Sequence, residues 1–189
     1  YRWFNRIIAF RYMDMHGFTG TPVVSPAGLT STNGLPEVLA AAKRGEYDSR
    51  VFSLRVNDKA KERIEGLLSG SVMADDPQGL AYGLLLQSEC RFWNRNLPFM
   101  FESVGKEAGR VDELLMPADL LAEGSVLRNA VEVMTPEDCG VDDPSGNVEI
   151  IGWLYQYYIS ERKNEVMDGF KKNHKAGAHE IPAATQLFT

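Results

Sequence analysis

The stretch RWFNRIIAFRYMDMH, residues Arg2 to His16, decides the fold class, because its apolar residues recur at helical spacing. At about 100° per residue, one broad face collects Trp3, Phe4, Ile7, Ile8, Phe10 and Met15. The other face collects Arg2, Asn5, Arg6, Ala9 and His16. Gly17 follows as a predicted C-cap. The pattern predicts an amphipathic helix with one buried side.

Two charged residues, Arg11 and Asp14, fall inside the apolar arc of this helix. They are three residues apart, so their side chains can meet. A buried guanidinium needs a carboxylate. Asp14 is the nearest in sequence, and Glu161 or Glu165 on a later predicted helix are alternatives. We expect Arg11 to be buried and paired.

Turn and capping residues divide the rest of the chain into further helices. After a loop over residues 19–34, the signals predict helices over Leu35–Arg44, from an Asn57 cap to about Ser69, from Asp76–Pro77 through Trp93, after Pro117, after Ser125, after Thr135–Pro136, and over Val148–Met167. One segment differs, because RVFSLRV (Arg50 to Val56) alternates as a strand does. The sequence thus predicts a mostly α, irregular multi-helix domain with long loops.

The chain divides into three parts by its periodicity. Residues 1–168 form the predicted helical domain, and residues 169–180 lose all periodicity, carry three lysines and read as a basic linker. The apolar pattern resumes over residues 181–189, the predicted start of a second domain. The first residue is not Met and the last ones are apolar, so we expect a piece of a larger protein, cut at both ends.

Composition is that of ordinary globular material, with 44% hydrophobic and 24% charged residues in 189. No run approaches the roughly 20 apolar residues of a membrane span. Two distant cysteines, Cys90 and Cys139, fit a reducing cytoplasm. The net charge of -6 argues against DNA binding by bulk charge. We expect weak, salt-sensitive DNA contact at most, through the Lys171–Lys175 run or the Arg2/Arg6 face.

Composition and spacing identify no reaction. The three histidines are scattered, so no metal site is predicted, and the chain contains no GxSxG, P-loop or GxGxxG motif. The turn DPSG (Asp143 to Gly146) lacks the second glycine of a methyltransferase loop. No residue is therefore assigned a catalytic role.

Three stretches carry a resemblance to a known family. They are YRWFNRIIAFRYMDMHGF (Tyr1 to Phe18), VEIIGWLYQYYISERKNEVM (Val148 to Met167) and IPAATQLFT (Ile181 to Thr189). Together they resemble the PglX family, the adenine-specific DNA methyltransferases of BREX phage-defence systems, in the helical region before the catalytic domain. The matches cover about a quarter of the chain, and residues 19–147 carry little that matches.

The resemblance implies an enzyme that transfers a methyl group from S-adenosylmethionine to adenine N6 and so marks host DNA. QLFT resembles the start of the segment that lines the cofactor pocket, which implies Phe188 and Thr189 as cofactor-binding residues. The family's glycine loop and N-P-P-Y motif, which presents acceptors and an aromatic face to a flipped adenine, are absent from this chain. They belong to an α/β methyltransferase domain downstream of the linker, so the fragment alone is expected to be inactive.

The implied partners are DNA, through the missing domains, and other BREX or restriction proteins, in the cytoplasm and without a membrane. The alternative is a non-catalytic helical module that docks other defence or restriction–modification proteins. The two hypotheses differ in whether the exposed aromatic residues face a downstream domain or open solvent.

Overall fold

A computed structural model describes residues 2–28, 34–101, 115–141 and 168–169 of the chain. These ranges contain no strand, only one isolated bridge between Pro26 and Pro36. Their helices are α1 (Arg2–Met15), α2 (Glu37–Lys43), α3 (Ser49–Phe52), α4 (Arg55–Ser69), α5 (Pro77–Trp93) and α6 (Val126–Val133). The predicted mostly α fold is confirmed. The backbone separates into two units, Tyr1–Asp143 and Pro144–Thr189, and the six helices belong to the first.

Helix α1 lies in the core and is buried on nearly every side. Ile7 and Phe10 are at most 1% exposed, and the Phe10 and Phe101 ring centroids are 4.7 Å apart. The predicted polar face is wrong in part. Arg2 is exposed as predicted, but Asn5, Arg6 and Ala9 are buried, and Phe4 on the predicted apolar face is 48% exposed. A wheel assumes one buried side, but α1 has neighbours on several sides.

The end of α1 and both ends of α5 follow the sequence signals. Gly17 has a φ of 66° after α1, which confirms the predicted left-handed cap, and the amide of Phe18 donates to Met13 O at 2.9 Å. The Asp76 carboxylate caps α5 by accepting from the Gly79 amide at 2.9 Å. Helix α5 ends at Trp93, ahead of Pro98 as predicted.

Helices α4 and α5 pack against each other and supply much of the core. Buried side chains from the two helices meet there: Ile64, Leu67, Tyr82, Leu85 and Leu86. Helix α4 ends at Ser69, as predicted, before Gly70 with a φ of 78°. The predicted Asn57 cap is wrong: the helix begins two residues earlier, and buried Asn57 donates to Val51 O at 2.9 Å.

The predicted strand over residues 50–56 is also wrong, because this segment forms α3 and the start of α4. The carboxylate of Asp48 accepts from the Arg50 amide at 2.9 Å and so caps α3. Val51 is buried at 1% exposure. An alternating pattern over seven residues fits a strand, and it also fits two short helical segments that each bury one side. Here the Asp48 cap favours the helical alternative.

The later predictions have mixed outcomes. Ser125 caps α6 by accepting from the Arg128 amide at 3.2 Å, which confirms that helix. The segments after Pro117 and after Pro136 form turns instead of helices. Residues 148–167 and nearly all of the predicted linker and second-domain start lie outside the described residues, so those remain predictions. No helix in the described part is long and apolar enough to cross a membrane.

Candidate functional site

The most elaborate polar arrangement among the described residues surrounds the carboxylate of Asp14, which is 2% exposed. It accepts five hydrogen bonds, from the amides of Val23 (2.8 Å), Val24 (2.9 Å) and Ser25 (2.8 Å) and the hydroxyls of Thr19 (2.7 Å) and Ser25 (2.8 Å). Burial raises the pKa of Asp14, and these hydrogen bonds oppose the rise. One carboxylate therefore holds the backbone turn that follows α1.

The buried guanidinium of Arg11 connects this turn to the end of α6. It donates to Ser25 Oγ at 2.7 Å, to Val131 O at 3.2 Å, and to Met134 O at 3.0 and 3.2 Å. The two carbonyls belong to the last turn of α6 and its C-cap, where a cation is favoured by the helix dipole. Burial lowers the pKa of Arg11, and the charge of Asp14 opposes that change.

The hydroxyl of Ser25 joins the two charges, because it accepts from Arg11 and donates to Asp14. The predicted burial of Arg11 is confirmed. The predicted direct contact between Arg11 and Asp14 is wrong, because the Ser25 hydroxyl lies between the two side chains and bonds to both. Glu161 and Glu165 lie outside the described residues. We call Arg11, Asp14 and Ser25 the polar hub. Tyr82 on α5 adds a fourth anchor, since its hydroxyl donates to Val23 O at 3.0 Å.

A second buried carboxyl, Glu89, lies on α5 and is 4% exposed. Burial raises its pKa to about 8, with smaller contributions in the same direction from Asp48 and Asp14. Arg50 and a hydrogen bond from Trp93 act the other way. Burial therefore favours the protonated, neutral form of Glu89 near neutral pH.

A groove of about 550 Å³ lies beside α5, between that helix and residues 116–118. Its lining includes Leu80, Gly83, Leu84 and Met116, together with the charged residues Arg63 and Asp75. Gly83 leaves room for the Met116 sulfur, which would be 3.1 Å from a Cβ at that position. Volume and lining resemble those of small-molecule sites, but Asp76 at its end already caps α5.

Comparison with known proteins places the chain in a family. It is 34% identical over 195 aligned residues to the adenine-specific methyltransferase BrxX of Escherichia coli O9:H4 (strain HS). It is 33% identical over 191 aligned residues to the adenine-specific methyltransferase PglX of Lacticaseibacillus casei (strain Zhang). Both alignments cover 100% of this chain. The chain belongs to the PglX family.

The family assignment from three short stretches is thereby confirmed, and the similarity extends across the middle of the chain, where the sequence alone showed little. No protein-family model matches the chain. The chain spans 13% of the length of BrxX and 14% of that of PglX.

The predicted cofactor residues of this PglX-family chain, Phe188 and Thr189, lie outside the described residues and remain a prediction. So does the Lys171–Lys175 run. The predicted Arg2/Arg6 surface is wrong in part. Arg6 is 1% exposed, and its guanidinium carbon is 4.9 Å from the centroid of the Trp3 ring, so Arg6 is in no position to contact DNA.

Other reactive side chains are engaged or buried. His16 contacts the carbonyl of Cys139 at 2.9 Å, and the thiols of Cys90 and Cys139 are buried. Across the ranges that the structure describes, no three His, Cys, Asp or Glu side chains are grouped so that they could hold a metal ion. Sequence reasoning missed Ser25 and Glu89, because a loop serine and a single helical glutamate carry no pattern that announces burial.

Proposed function

We propose that this chain is a helical scaffold within a site-specific DNA adenine-N6 methyltransferase that marks host DNA in phage defence. The complete protein would take its methyl group from S-adenosylmethionine, act in the cytoplasm, and bind DNA and other defence proteins. The observation that carries the proposal is the similarity, over the whole chain, to two adenine-specific methyltransferases.

The chemistry of the described residues supports a scaffold rather than a catalytic role. A general base needs a lone pair that a substrate can reach. Asp14 is buried and already accepts five hydrogen bonds. Glu89 is buried, which favours its protonated form, and the two thiols are buried. Each of these groups contributes to packing, and none is placed to exchange a proton with a substrate.

The polar hub gives the scaffold its rigidity. It connects α1, the turn over residues 19–25 and the end of α6 through one hydroxyl, one carboxylate and one guanidinium. A satisfied buried polar network is costly to rearrange, because any displacement leaves buried donors or acceptors unpaired. A rigid helical unit of this kind could hold a neighbouring catalytic domain in a fixed orientation.

The proposal is tested first on the complete protein. It should be expressed in a host that lacks adenine methyltransferases, and genomic DNA should be read by single-molecule sequencing. We expect N6-methyladenine at one short motif. Methylation of cytosine, or no methylation together with retained binding of other defence proteins, would contradict the proposal and favour a docking module.

The 189-residue chain provides the second test. Calorimetric titration with S-adenosylmethionine should give no measurable heat of binding, and incubation with DNA and labelled cofactor should transfer no methyl group. Micromolar binding of the cofactor would place a pocket within this chain and contradict the scaffold role.

A further inference from the structure

We draw no further inference here: the strongest candidate, the groove of about 550 Å³ beside α5 that Leu80, Leu84 and Met116 help to line, carries none because nothing in the structure shows what covers it.

Discussion

Replacing Asp14 by asparagine tests the polar hub most sharply, because the two side chains have nearly the same shape. In the parent, one carboxylate oxygen accepts from Thr19 and Val23, and the other accepts from Ser25 and Val24. The side-chain amide that Asp14→Asn introduces has one oxygen and one NH₂ group. In the better of its two orientations the NH₂ faces the Thr19 hydroxyl, which can turn to accept, and the Val23 amide loses its acceptor.

Two costs follow from that geometry. A buried amide left without an acceptor costs about 1–3 kcal/mol. Arg11 also loses a buried negative charge that lies one hydroxyl away, and breaking such a buried charge arrangement costs about 3–5 kcal/mol in total. We therefore expect the free energy of unfolding to fall by about 3–5 kcal/mol, measured by urea denaturation near neutral pH.

Two controls isolate the charge. Thr19→Val removes only one of the five hydrogen bonds to the carboxylate and should cost about 1 kcal/mol. Arg11→Met alone should cost about 3–5 kcal/mol, because it leaves the Asp14 charge buried. Combined with Asp14→Asn, it should cost clearly less than the sum of the two single changes. An Asp14→Asn protein as stable as the parent to within about 1 kcal/mol would refute the assignment of the carboxylate as the anchor of the turn.

Two further predictions concern α5 and α6. Glu89→Gln should remove a pH dependence: the raised pKa of about 8 stabilises the parent fully below the ordinary value of 4.5, and this contribution is lost as pH rises towards 8. Melting curves should show the parent losing roughly 2 kcal/mol between about pH 5 and pH 7 relative to the variant, and parallel curves would contradict the protonated state. Ser125→Ala should lower the free energy of unfolding by about 1 kcal/mol, since Ser125 Oγ caps α6 and also donates to Leu120 O at 2.7 Å. Ser125→Asp, which keeps a cap acceptor, should recover part of that loss, and equal stability of the Ala variant and the parent would show that the cap contributes nothing.

The sequence predicted those elements whose ends are marked by local chemistry. Asp76 followed by Pro77 marks the start of α5, Gly17 marks the end of α1, and Ser125 marks α6, because a cap acts within a few residues of itself. The sequence failed where the outcome depends on distant neighbours. The alternation over residues 50–56 allows a strand or two helical turns, and the burial of Val51 depends on neighbours that the pattern does not show. The Asp48 cap is a local signal for the helix that the alternation concealed.

The same distinction between local and distant determinants applies to the candidate sites. Arg11 was predicted to be buried from its place in an apolar arc, but among the described residues it donates to residues 25, 131 and 134, which no spacing rule connects to it. The contact between Arg50 and Phe92 was missed for a related reason. Arg50 and Phe92 are far apart in the sequence, and only the packing of α3 against α5 brings them together.

The residues that carry the family resemblance in α1 are, with few exceptions, the ones that α1 buries. Trp3, Asn5, Arg6 and Arg11 are all buried, and Arg11 caps α6. The resemblance in this helix therefore reflects how the scaffold is packed and identifies no surface that meets a substrate. A surface that meets another molecule has to be sought among the exposed side chains. Substitutions at exposed positions therefore separate recognition from folding better than substitutions in α1.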